Sequence, residues 1–309
     1  MKKRIFRALC VFLLLGSMSL PAFADTGPKP SVNITLKNLP AEPCYVTLLS
    51  TVPSTGPHSS VWRVNEAGER VRNYDYGSPY EYVPEGERHI YDAFLAYEEA
   101  DPDRLYFLQT YGLAEDGTYR WGYYPPMEFK VLLYFPGTGA FAVTDELCER
   151  YAFDSYFTVD LSGVELVPGE TVSGLKAVKS YDYTWELISL CARVVITIAL
   201  ELAVAWWFFG LRTKRALAVI LPVNLVTQVA LNVGLNWRAY VSGHGYLLLP
   251  YLLMELGVLV VEMAAYWLLL PRDGAGKRPA KLAFRYALAA NVVSFVAGWG
   301  IALVIPGIF

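Results

Sequence analysis

Histidine and cysteine are scarce in this chain, with three of the first and four of the second among 309 residues. His58, His89 and His244 are scattered, and no paired-cysteine spacing accompanies them, so a His/Cys metal site has no support. His-Glu-x-x-His and Gly-x-Ser-x-Gly are missing, as is an aspartate pair of the intramembrane-protease kind, which weighs against catalysis. His244 within Ser242-Gly243-His244-Gly245 reads as part of a turn. No motif asks for a cofactor. Positive charge is lacking from the middle of the chain, where residues 25–183 hold 12 Lys and Arg against 24 Asp and Glu. That balance excludes nucleic acid and anionic lipid as natural partners of this segment. Without an Asp-x-Asp-x-Asp-Gly loop, its acids read as a solvated exterior rather than a calcium site.

Apolar residues are what the chain has in excess: 54% of it is hydrophobic and its mean hydropathy is +0.31, beyond the range of an ordinary soluble protein. The N-terminus has a secretory pattern. Lys2, Lys3, Arg4 and Arg7 precede a short apolar run over 8–20, and Ala22-Phe23-Ala24 offers a small-x-small cleavage site. Residues 1–24 are therefore expected to be a signal peptide that delivers the following domain across a membrane. Cys10 falls within the signal and Cys191 within the first membrane segment. Cys44 and Cys148 are then the pair that could form a disulfide in an oxidising compartment, provided their backbones approach.

Residues 25–183 are expected to form an extracytoplasmic, mostly β domain, because apolar residues alternate with polar ones at a period near two. Val32, Ile34 and Leu36 face one way in 31–37, and Phe157, Val159 and Leu161 in 155–161. Further strands are expected at 45–49, 105–110, 119–124, 129–135 and 175–181, separated by turns such as Asp116-Gly117 and Pro168-Gly169. Ile90, Phe94 and Tyr97 carry the spacing of a helix over 89–99, and a second short helix is expected over 145–151. Between 52 and 84 the chain reads as a surface excursion with an aromatic cluster of Trp62, Tyr74, Tyr76, Tyr80 and Tyr82. The fold class implied is a sandwich-like β domain.

Beyond residue 183 four apolar segments follow, near 186–209, 216–236, 246–270 and 282–305, each long enough for a membrane helix. They define an all-α four-helix transmembrane bundle over 184–309. Arg212, Lys214 and Arg215 follow the first segment, and Arg272, Lys277, Arg278 and Lys281 the third, which places both loops in the cytoplasm. The β domain and the C-terminus then lie outside a bacterial cell membrane, consistent with export by a cleaved signal.

Glu255 and Glu262 stand seven residues apart inside the third segment, within about 20° of one another around the helix. Intramembrane carboxylates are costly and turn toward a partner, a cavity or a path. Asn224, Gln228 and Asn232 form a stripe on the second helix, and Asn291 and Ser294 are one turn apart on the fourth. On the first helix Glu201 is displaced from Arg193 by about 80°. By depth, Arg193 is matched with Glu255, whereas Glu201 and Glu262 share the inner half with no base beyond a snorkelling Arg285. A polar or cation site of Arg193, Glu201, Asn224, Gln228, Glu255, Glu262 and Asn291 is the candidate, against interhelical hydrogen bonding alone. The functional expectation is a sensor, receptor or accessory module that works with an extracellular ligand or a partner membrane subunit. The alternative is a small proton- or cation-coupled transport component.

Overall fold

The computed structural model describes residues 27–73, 83–243, 248–272 and 279–304. The expected signal peptide, Tyr74, Tyr76, Tyr80, Tyr82 and His244 lie outside those residues. The N-terminal part is mostly β. Its first sheet has the strand order β12 (Ala177–Lys179), β10 (Asp154–Asp160), β1 (Ser31–Lys37), β6 (Thr118–Trp121). The second runs β11 (Thr171–Leu175), β8 (Ala140–Thr144), β7 (Glu128–Phe135), β2 (Tyr45–Ser50), β5 (Tyr106–Leu113), with β9 (Cys148–Glu149) against the start of β7. Two pairs are parallel, β1 with β10 and β11 with β8; the other ladders are antiparallel.

Alternation decides which side chains enter the sandwich. Val32, Ile34 and Leu36 from β1 and Phe157 and Val159 from β10 meet Val46, Leu48, Phe129, Val131 and Leu133 of the second sheet in one buried cluster. The next residues along, Asn33, Thr35, Tyr156 and Thr158, escape full burial, as a half-wet sheet requires. The second sheet is buried on both faces. Helix α1 (Arg88–Ala100) lays Ile90, Tyr91 and Phe94 on Leu49, Leu105, Phe107 and Leu132, forming a third layer. This explains why Val131-Leu132-Leu133 is a continuous apolar run: both faces of β7 are covered.

Two expectations are corrected. Residues 145–151 form no helix; β9 falls there and pairs Cys148 with Phe129 and Glu149 with Glu128. A seven-residue segment is too short to sustain a helix unaided, and the open edge at the start of β7 offers ladder bonds instead. Cys44 and Cys148 are buried free thiols rather than a disulfide. Cys44 precedes Tyr45, which pairs with Tyr134, whereas Cys148 pairs with Phe129 at the other end of β7. Five residues of strand separate those positions, roughly 17 Å, far beyond disulfide reach. Burial pushes the two thiols up to about 12 and about 11, which makes them inert.

The surface excursion contains a hairpin, β3 (Trp62–Val64) and β4 (Arg70–Arg72), turned by Asn65, whose Oδ1 accepts from the backbone N–H groups of Ala67 and Glu69. An ion pair pins it to α1: Arg70 reaches Glu98 at 2.9 Å, and the Ser60 hydroxyl donates to the same Oε1 at 2.6 Å. The Arg70 guanidinium also lies over the Trp62 and Tyr106 rings, 5.4 and 4.8 Å from their centroids. Glu98 Oε2 is buried without a partner.

Burial outweighs the opposing pull of Ser60 and Arg70 and raises Glu98 to about 7. A folded-state value above the ordinary 4.5 means the native state holds this proton more tightly than the unfolded chain does. Its stabilising contribution is complete below about pH 4.5 and is lost as pH rises toward 7. Thermal unfolding of the full-length protein between pH 4.5 and 8 should show a decline in Tm across this window that flattens in Glu98→Gln. Parallel profiles in wild type and variant would refute the assignment.

After the β region come four helices, α2 (Thr184–Trp207), α3 (Lys214–Ser242), α4 (Leu248–Leu269) and α5 (Ala280–Val304), each long and apolar enough to cross a membrane. Short connections make sequence neighbours antiparallel, and α5 returns to pack on α2, so the four close into a ring. Helix α3 starts on an N-cap, Thr213, which accepts from the Ala216 N–H at 3.2 Å. It runs past the expected end at residue 236 to Gly243, whose φ of 75° suits glycine. Val195, Trp207, Val226, Leu256 and Val296 are among the apolar side chains left on the outside.

Candidate functional site

The polar stripes read from the sequence meet inside the ring of helices. Glu201 on α2 and Glu262 on α4 are both fully buried, together with Asn224, Thr227, Gln228 and Asn232 on α3 and Asn291 and Ser294 on α5. Glu262 is held from two sides: the Thr227 hydroxyl donates to Oε1 at 2.7 Å and Asn291 Nδ2 to Oε2 at 2.6 Å. Ser294 donates to Glu201 Oε1 over a long 3.4 Å, and Glu201 Oε2 has no partner. Both carboxylates therefore hang on one turn of α5. Asn224 Oδ1 accepts from the Tyr266 hydroxyl, while its Nδ2 lies beside Glu201 without closing a hydrogen bond. Tyr286 donates to the Glu201 backbone carbonyl at 3.3 Å and packs on Tyr266 with ring centroids 5.1 Å apart. These two tyrosines close one side of the acid pair.

The expected seven-residue site divides. Glu201, Asn224, Glu262 and Asn291 come together. Gln228 is buried one turn along α3, and among the described hydrogen bonds its backbone carbonyl accepts from Asn232 at 2.8 Å. Arg193 does not pair with Glu255. Its guanidinium donates to Asn236 Oδ1 at 2.8 Å and to the Ser189 carbonyl at 3.3 Å, while Glu255 is half-buried beside Tyr251, one turn back on its own helix. The pairing fails because depth is not azimuth: Asn236 lies on the neighbouring helix α3, nearer than the acid. Arg285 is exposed and offers the acids nothing.

Sequence reasoning missed Thr227, Tyr266 and Tyr286 as parts of this cluster. A threonine in a helix usually bonds its own backbone, and Thr227 also lies 3.0 Å from the Val223 carbonyl. Tyrosines in an apolar run read as membrane-belt residues. The usable signal was register: Glu262 and Tyr266 are one turn apart, on one face of α4.

A second constellation joins the β domain to the bundle. The Phe153 N–H donates at 2.8 Å to the carbonyl of Tyr240, one of the last-turn carbonyls of α3 that no helical N–H reaches. Around Tyr240 gather Tyr181, Tyr183 and Trp237, with ring centroids 5.5, 6.3 and 6.0 Å away. The Tyr181 hydroxyl bonds Glu186 at the start of α2. Gly243 makes the close approach: a Cβ there would stand 2.6 Å from Phe153 Cε1. The exposed basic residues Arg212, Lys214, Arg215, Arg272 and Lys281 lie toward the opposite end of the bundle.

On the β domain itself, a groove of about 530 Å³ opens between the edge strands β5 and β6. Its lining includes His58, Tyr119, Arg120, Trp121 and Tyr123. Tyr119 crosses Gly112, where a Cβ would meet its ring at 3.1 Å, and its buried hydroxyl has no partner. Burial lowers His58 below the usual histidine range and holds it neutral, with its Nε2 2.9 Å from the Tyr123 carbonyl and its Nδ1 2.9 Å from the Thr110 hydroxyl. Among the described residues no group of three or more His, Cys, Asp and Glu is placed to hold a metal ion.

No family model, curated protein or solved structure matches this chain.

The bonds around Glu262 set a stability order. Asn291→Ala removes its closest donor and leaves a buried carboxylate oxygen bare, at a cost of about 1–3 kcal/mol. In equilibrium unfolding in detergent micelles, Asn291→Ala should fall clearly below wild type, and Gln228→Leu should lose less.

Proposed function

We propose that the chain is a multi-pass bacterial cell-membrane protein whose β domain faces outward and serves as the sensing or accessory module of a membrane assembly. The observation that carries this reading is the seat at Tyr240. A backbone hydrogen bond and a tyrosine cluster fix the domain to the start of α2 and the end of α3. A rearrangement in the domain is thereby delivered to two membrane helices at once. The groove between β5 and β6 supplies a concavity with the exposed side chains of Arg120 and Tyr123 for an extracellular ligand. Secretory features in residues 1–24 and the cluster of basic residues at the far end of the bundle support the orientation. The aromatic seat then falls at the outer membrane interface, where tyrosine and tryptophan are favoured.

A second reading, a small proton- or cation-coupled transport component, is favoured by one observation: Glu201 and Glu262 converge, with no Lys or Arg paired to either among the described residues. Proton flux into liposomes that disappears in Glu262→Gln would establish it over the first.

Two experiments test the first reading. In a Cys191→Ser background, a membrane-impermeant maleimide added to intact cells should label Val241→Cys and spare Arg212→Cys; the reverse pattern would overturn the orientation. If the seat couples domain to bundle, the full-length protein should unfold in one transition, and Gly243→Val, which drives a side chain into Phe153, should split it into two. A single unchanged transition in Gly243→Val would remove the coupling.

A further inference from the structure

We infer that the core of the helical bundle is a binding site for one hard monovalent cation, competing with a proton. This goes beyond the sensing or accessory reading, which stands on the seat and the groove and is unaffected by the outcome here.

Glu201 and Glu262 are fully buried and interact with one another, and among the described residues no Lys or Arg reaches either. The helices packed around the pair bring Glu255, Tyr251, Tyr266 and Tyr286 as the other titratable groups, none of them a source of positive charge. Arg193 is committed to Asn236, and Arg285 is exposed. Two carboxylates in an apolar ring of helices require positive charge from outside the chain, as a proton or as a metal ion.

The hydrogen bonds then indicate where that charge sits. Asn291 Nδ2 lies 2.6 Å from Glu262 Oε2 and 2.9 Å from the Ala287 carbonyl. Both partners are acceptors, so the amide orientation is fixed and Oδ1 must face away from them. That Oδ1 and Glu201 Oε2 are buried oxygens without a donor. They are the atoms a cation would find unoccupied. The Ser294 hydroxyl lies 3.4 Å from Glu201 Oε1 and 3.1 Å from the backbone carbonyl of Asn291, one turn back on the same helix. An all-oxygen set of carboxylate, amide and hydroxyl suits a hard cation.

The number of available charges favours a monovalent ion. Both oxygens of Glu262 already accept a donor, at 2.7 and 2.6 Å, so its charge is largely satisfied within the chain. Of the two acids, Glu201 is the one left with an open oxygen. Calcium sites usually recruit six to eight oxygens and more negative charge than this. A proton on Glu201 occupies the same place, so the two must compete.

The test uses purified full-length protein in detergent micelles, with choline chloride keeping ionic strength constant. Thermal stability is followed while sodium, lithium or potassium chloride replaces the choline salt, at pH 8.5 and at pH 5.5. Sodium or lithium is expected to raise Tm saturably at pH 8.5, with the midpoint moving to higher concentration, about tenfold or more, at pH 5.5. Glu201→Gln should abolish the shift, and Glu255→Gln should keep it. Should Glu201→Gln fail to fold, Ser294→Ala replaces it, with a weaker sodium midpoint expected. The proposal is overturned by a wild-type Tm indifferent to alkali cations at both pH values, which would leave only a proton in the site. A saturable shift with calcium instead, or sodium midpoints unchanged in Glu201→Gln or in Ser294→Ala, would overturn it as well.

Discussion

The cost of burying ionisable groups governs this molecule in both of its parts. In the bundle, two carboxylates have been taken out of solvent with no base beside them among the described residues, and the polar residues of the other helices are arranged around that fact. Thr227, Asn291 and Ser294 each turn a donor inward, and Tyr266 and Tyr286 close the remaining side. Removing the acids would leave these groups without a purpose in an apolar interior. In the β domain the same cost falls on Glu98, and there a base does answer: Arg70 crosses from the hairpin, braced on the Trp62 and Tyr106 rings. One buried acid holds a hairpin to a helix, and the other two hold a ring of helices around a polar centre.

The two parts meet at a helix terminus, which is where backbone chemistry leaves something to be supplied. The last-turn carbonyl of Tyr240 needs a donor that α3 cannot provide, and Phe153 of the β domain provides it. Gly243 ends the helix at a positive φ and leaves room for the Phe153 ring. The tyrosines around this point pack the domain onto the helices with amphipathic rings suited to a membrane surface.

Much of this was legible beforehand. The alternation at 31–37 and 155–161 identified strands that lie within a residue of β1 and β10, and four apolar runs marked the four helices. The stripe of Asn224, Gln228 and Asn232 is indeed one buried face, because a helix has a fixed period. Pairings across elements were not legible in the same way. Matching Arg193 to Glu255 by depth ignored azimuth, and expecting Cys44 near Cys148 required a strand register that no local pattern encodes. The short segment at 145–151 has weak preferences of its own, and the open edge of β7 decided it.

The sequence by itself determined the division at residue 183, the β and α character of the two parts, and the faces that turn inward, since these follow from composition and period within one segment. Only the tertiary structure decided which buried groups answer one another: Glu98 with Arg70, Glu262 with Thr227 and Asn291, Phe153 with Tyr240. Those choices depend on the rotation and register of elements far apart in the chain, set by packing of the whole. Glu201 shows the difference most plainly. Its sequence position marks an acid in an apolar run, and its place in the fold leaves one of its oxygens without a partner.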